Sequence, residues 1–170
     1  PASISSGLSQ INVFIDMFFA SSFQGAASGL AYGNFLIQAP LGILSNSLIL
    51  PLLPKFSNLR SKKDFRGLQK KLMSGIEYCL LTSIFLTGFF ITFNNQIVEL
   101  VFKRGAFDFA ATLKVKNILI AYSVGLPFYL YRDLLVRTYY SIEKTSLPFK
   151  SSFAGIILNI VFDWFLIGAP

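Results

Sequence analysis

The chain has no histidine and a single cysteine, Cys79. Without histidine, imidazole acid–base catalysis and the usual zinc sites are closed to it. One cysteine inside an apolar run supports neither a disulfide framework nor a thiolate metal site. Charge is also scarce, at 14% of residues, well below the ~25% of soluble domains. The eight acidic residues are scattered along the chain rather than gathered. A membrane enzyme acting on lipid-linked sugars needs an acidic metal cluster or a histidine near the surface, and the sequence offers neither. No enzymatic activity, cofactor or metal is therefore expected. A basic signal-peptide n-region is missing too, since Pro1 is followed by small residues, and there is no initiator Met. The chain stops directly off an apolar run at Ile167-Gly168-Ala169-Pro170, so it reads as a piece of a longer membrane protein.

What is present is apolar length. Apolar residues make up 54% of the chain and the mean hydropathy is +0.60. Residues 26–54 carry no charge at all. At a rise of ~1.5 Å per residue, about 20 residues cross the hydrocarbon core of a bilayer, so this run has length to spare. Four further apolar stretches give five expected spans in all, at about 3–23, 26–53, 74–93, 117–137 and 151–169. The expected architecture is all-α, a polytopic membrane helix bundle with short interfacial helices, forming one membrane-domain fragment over residues 1–170.

Several of these spans carry a polar seam. In the first, Ser5, Ser9, Asn12 and Asp16 recur at i, i+4, i+7 and i+11, on one helical face. Asp16 near its centre costs about 2.5–3.5 kcal/mol on insertion scales, so it is expected to face protein rather than lipid. In the second, Asn34, Gln38 and Ser45 share a sector, with Pro40 between them removing one backbone hydrogen bond. The second span is expected to end at Pro51 and Pro54. Asn94 and Asn95 are expected to close the third, and residues 96–107 to form an interfacial helix stopped at Gly105. Asp108 is a cap for the helix entering the fourth span, where Gly125 and Pro127 predict a kink and Asp133 can pair with Arg137 at i+4. The fifth aligns Ser152, Gly155, Asn159 and Asp163.

The net charge of +7 invites a nucleic-acid reading, but its placement argues against one. Lys55, Arg60, Lys62, Lys63, Arg66, Lys70 and Lys71 all lie in the loop at 55–72, read as a short amphipathic helix on the membrane surface touching anionic head groups. Putting that loop in the cytoplasm leaves eleven Lys/Arg inside and only Lys103, Arg104, Lys114 and Lys116 outside. That bias makes the N-terminus cytoplasmic.

Four segments then suggest a family. SGLSQINVFIDMFFAS, LAYGNFLIQAPLGILSNSLILPLLPKFS, VFKRGAFD and AYSVGLPFYLYRDLLVRTYYSIEKTSLP, in this order and spacing, resemble the MurJ/MviN lipid II flippases. The resemblance covers essentially the whole chain. It implies helices seven to eleven of a two-lobed, fourteen-helix transporter in the multidrug/oligosaccharidyl-lipid/polysaccharide exporter superfamily. Its implied action is alternating-access movement of the undecaprenyl-diphosphate-linked muropeptide, lipid II, across the bacterial inner membrane for peptidoglycan and cell-wall synthesis. Implied partners are lipid II and membrane lipids, with no nucleic acid. The family's cavity is cationic, as a diphosphate requires. Many members carry an Asp-Arg pair where this chain has Asn34-Phe35, so that cavity arginine is absent here. Substrate-pathway candidates are therefore Asn12, Asp16, Asn34, Gln38 and Arg132. The alternatives are an exporter of another lipid-linked oligosaccharide or a drug, using Asp16 or Asp163 as a proton or cation site, or a non-transporting fragment.

Overall fold

The computed structural model describes residues 13–23, 25–102 and 109–167, and no strand occurs among them. Asn12, Ser5, Ser9, Lys103, Arg104, Gly105 and Asp108, on which several expectations rest, lie outside the described residues. Residues 13–20 are helical (α1). They are followed by α2 (Ala26–Leu44), a π-helical turn (Ser45–Ile49), a 3₁₀ turn (Leu50–Leu52), α3 (Leu53–Ser61), α4 (Phe65–Phe102), α5 (Phe109–Ser141) and α6 (Ser146–Ile167). Four helical stretches among the described residues, 26–61, 65–102, 109–141 and 146–166, are long and apolar enough to span a bilayer.

The chain divides into two compact units, one of residues 28–142 and one of residues 1–27 with 143–170. The first is built on a core of Leu36, Ile37, Leu41, Ile49, Phe56, Cys79, Phe90, Val98, Val115, Leu119, Leu126, Leu130 and Leu134. Small residues let its helices close on one another. Ser83 of α4 and Ser123 of α5 are fully buried, and Thr87 Oγ1 donates across the seam to the Ser123 carbonyl at 2.8 Å. Gly29 and Gly33 give α2 its approach to α5: a Cβ at Gly33 would stand 2.7 Å from Ile118 Cγ2.

Two boundaries differ from the sequence expectation, each for a local reason. Pro51 and Pro54 do not end the second helical run. Each falls in the first positions of a new segment, the 3₁₀ turn and α3, where a missing N–H leaves no bond unmade. Residues 55–72 are not one amphipathic helix but the end of α3 and the start of α4. Asp64 N–H donates to Leu59 O at 3.0 Å and Lys63 N–H to Arg60 O at 2.9 Å, with Lys63 in the left-handed region at φ 57°. The Asp64 carboxylate then accepts from the Gly67 N–H at 2.9 Å and caps α4. The expected close of the third span at Asn94 and Asn95 falls beside a kink: Phe93 leaves helical geometry (φ −103°, ψ 16°), Asn94 Nδ2 donates to the Ile91 carbonyl, and a second helical stretch continues to Phe102. In α5 the helix runs through Gly125 and Pro127 without interruption.

Candidate functional site

Two groups of polar side chains come together on the largely apolar helices. In the first unit, Ser45 opens the π-helical turn that follows α2 and is 6% exposed. Its Oγ donates to Asp133 Oδ2 of α5 at 2.6 Å, joining positions 88 apart in the chain. Arg137, one turn further along α5, donates its Nε to both Asp133 oxygens at 3.0 Å. The pairing of Asp133 with Arg137 is the one the i, i+4 spacing anticipated. The carboxylate is thereby held by donors on two helices. A π turn widens the helix by one residue per turn and is a common device where a side chain must be re-aimed. Beside this group lies a cavity of about 630 Å³, lined by Leu53, Pro54, Ser57, Asp133, Val136, Arg137, Tyr140 and Ser141.

In the second unit, Asp16 accepts a hydrogen bond from the Asn159 side chain and lies within electrostatic reach of Asp163. Asn159 Oδ1 and Asp163 Oδ2 are buried and have no hydrogen-bond partner among the described residues. Ser152, Ile156, Asn159 and Asp163 are the half-buried face of a helix whose other side chains are mostly exposed. The Asp163 carboxylate and the Asn159 amide carbonyl, each with one oxygen unsatisfied among the described residues, lie with Asp16 in an oxygen-rich environment of the kind that takes a proton or a small cation. Among the described residues no group of three His, Cys, Asp or Glu side chains gathers as a metal centre.

The remaining sequence candidates are placed separately. Asn34 and Gln38 are exposed and bonded to each other, Gln38 Nε2 donating to Asn34 Oδ1 at 3.3 Å. Phe35, between them on the chain, is 65% exposed and approaches Phe102 with ring centroids 6.4 Å apart. Arg132 is exposed and lies outside the Ser45–Asp133–Arg137 group. The expected seam of Asn34, Gln38 and Ser45 is thus divided by depth: α5 covers its Ser45 end, while the Asn34 end is exposed among the described residues. Ser45, Asp133 and Asn159 were absent from the candidate set. For Ser45 and Asn159 the sequence signal was a polar residue recurring at helical spacing in an apolar run, and for Asp133 it was the i, i+4 spacing to Arg137.

Residues 1–169 match the family described as Lipid II flippase MurJ. The chain belongs to that family. A Synechocystis relative, named a probable lipid II flippase MurJ, is 41% identical over 164 residues, covering 96% of this chain and 31% of the relative. Relatives of the same name from Rickettsia prowazekii and Rhizobium meliloti are 33% and 30% identical over 94% of the chain. The chain therefore spans about a third of the length of these curated relatives. No solved structure matches it. The family is one of transporters, and the four long apolar helices agree with a multi-pass membrane protein.

Proposed function

We propose that the full-length protein carrying this segment moves lipid II from the cytoplasmic to the external leaflet of a bacterial inner membrane by alternating access, without catalysing a covalent step. The segment supplies helices seven to eleven, the start of the second lobe, with its N-terminus in the cytoplasm. The observation that carries the reading is the family match in register over residues 1–169. The eleven-to-four distribution of Lys and Arg supports the orientation. Substrate-pathway roles go to Asn12, Asp16, Asn34, Gln38 and Arg132, with Asn34 and Gln38 offering neutral hydrogen bonds where Phe35 replaces a cation. The test is to express the complete gene in a bacterium depleted of its own flippase and to assay external-leaflet lipid II. Restored growth together with restored external lipid II supports the reading. A folded, inserted protein that restores neither overturns it.

A second reading, an exporter coupled to a proton or cation, draws on the unsatisfied oxygens of Asn159 and Asp163 beside Asp16. It expects transport to be lost in an Asp16→Asn variant while remaining indifferent to lipid II.

A further inference from the structure

The loop that holds seven of the fifteen Lys and Arg residues is not merely a diffuse basic surface. None of Lys55, Arg60, Lys62, Lys63, Arg66, Lys70 and Lys71 has a carboxylate partner among the described residues. The only carboxylate in the loop, Asp64, is committed to the Gly67 N–H at the α4 cap. The tight turn at residues 62–64 folds α4 back beside α3, and a groove of about 430 Å³ opens between them. It is lined by Pro54, Lys55, Asn58, Leu59 and Lys71. Of the seven cations only Lys55 and Lys71 line it, one from each helix, and the Asn58 side-chain amide between them has no partner among the described residues.

The depth of the groove is set by the sequence. Lys55 is the first charged residue after the uncharged run 26–54, and Lys71 is the last basic residue before the apolar body of α4. Both mark the level at which the chain crosses from hydrocarbon to water, where phospholipid phosphates lie. Pro54 and Leu59 form an apolar floor against which a glycerol backbone can rest. We propose that this groove is a discrete binding site for the phosphate of an anionic phospholipid. Lys55 and Lys71 hold the charge from two helices, and the Asn58 amide donates to a phosphate oxygen. Occupancy ties α3 to α4 at the turn. The site rests on the membrane placement of the loop and is independent of the transported substrate.

The test compares two charge-matched double variants of the full-length protein in phosphatidylcholine nanodiscs containing a small fraction of spin-labelled phosphatidylglycerol. Lys55→Gln with Lys71→Gln removes the groove cations. Lys62→Gln with Lys63→Gln removes the same charge from the turn, so both lose the same long-range attraction. Because a charge-assisted hydrogen bond is lost with each groove lysine, the groove pair is expected to reduce the immobilised lipid signal about tenfold more than the turn pair. Equal reductions overturn the proposal and leave only a diffuse electrostatic anchor. Displacement of the label by millimolar inorganic phosphate also overturns it, assigning the groove to a free anion. Labelling of a Ser61→Cys variant by an impermeant reagent, in a Cys79→Ala background, reports separately which side the groove faces. An external Ser61 would overturn the cytoplasmic orientation while leaving the lipid result standing.

Discussion

At the scale of single residues, the bond from Ser45 to Asp133 is the interaction that ties the π turn to α5. A hydrogen bond to a carboxylate contributes more than a neutral one in water, yet measured interhelical polar contacts inside membranes average below a kcal/mol. Ser45→Ala is expected to lower the stability of the full-length protein by about 1 kcal/mol, read as a drop in melting temperature in detergent. Ser47→Ala, on the exposed side of the same turn, is the control and should change nothing measurable. Gly33 gives a complementary case, in which a gain of atoms does the damage. Its missing Cβ faces Ile118 Cγ2, a branch held close to the backbone with little freedom to yield. Gly33→Ala is expected to cost about 1–3 kcal/mol by separating α2 from α5, again measured by thermal unfolding. The Asp133–Arg137 pair was legible from the sequence because its two ends lie one helical turn apart. The third member, Ser45, was legible only as a polar residue, since nothing local says which helix will cover it.

At the scale of elements, the turn between α3 and α4 decides where the basic residues go. It contains neither glycine nor proline at its left-handed position, which is Lys63, so the usual punctuation of a helix end is missing. Continuous amphipathic spacing across 55–72 therefore reads as one helix, and the break becomes visible only through the hydrogen bonds at Leu59, Arg60 and Asp64. Asp64 is the residue that makes the restart of α4 stable. Asp64→Ala is expected to cost about 1 kcal/mol by removing the cap on the Gly67 N–H. Hydrogen exchange should detect the loss as faster exchange in the first turn of α4, with the middle of the helix unchanged. The two asparagines at 94 and 95 sit at a break that the sequence did show. Phe93 beside them leaves helical geometry, and with Asn94 donating to the Ile91 carbonyl and Asn95 to Glu99 the expected end takes the form of a kink between two helical stretches.

At the scale of the whole molecule, the segment exposes more apolar surface than a self-sufficient protein tolerates in water. Among the described residues most apolar side chains of α6 are left uncovered, and Phe162, Trp164, Phe165 and Leu166 all stand exposed. Such surface is satisfied by lipid or by further helices packed against it. Expressed alone, the segment is expected to enter the membrane fraction yet restore no external lipid II to a flippase-depleted cell. The complete gene is the positive control. Recovery by the segment alone would show that a second lobe is dispensable, contrary to an alternating-access mechanism that needs two bodies to rock against each other.

The sequence by itself determined the class of the protein and the local pairings. Charge-free, continuously apolar runs longer than a bilayer point to helices, because backbone groups in hydrocarbon must be bonded. A helix bonds them within its own segment, whereas barrel strands are short and alternate in polarity. Helical periodicity determined which polar residues share a face, and i, i+4 spacing paired Asp133 with Arg137. Tertiary structure decided everything that joins residues from different helices: Ser45 with Asp133, Asp16 with Asn159, and Lys55 with Lys71 at one groove. The reason is physical. A helix face turned toward lipid and one turned toward protein are both apolar, so composition cannot tell them apart. Only the packing of one helix on another fixes which polar groups leave the lipid together.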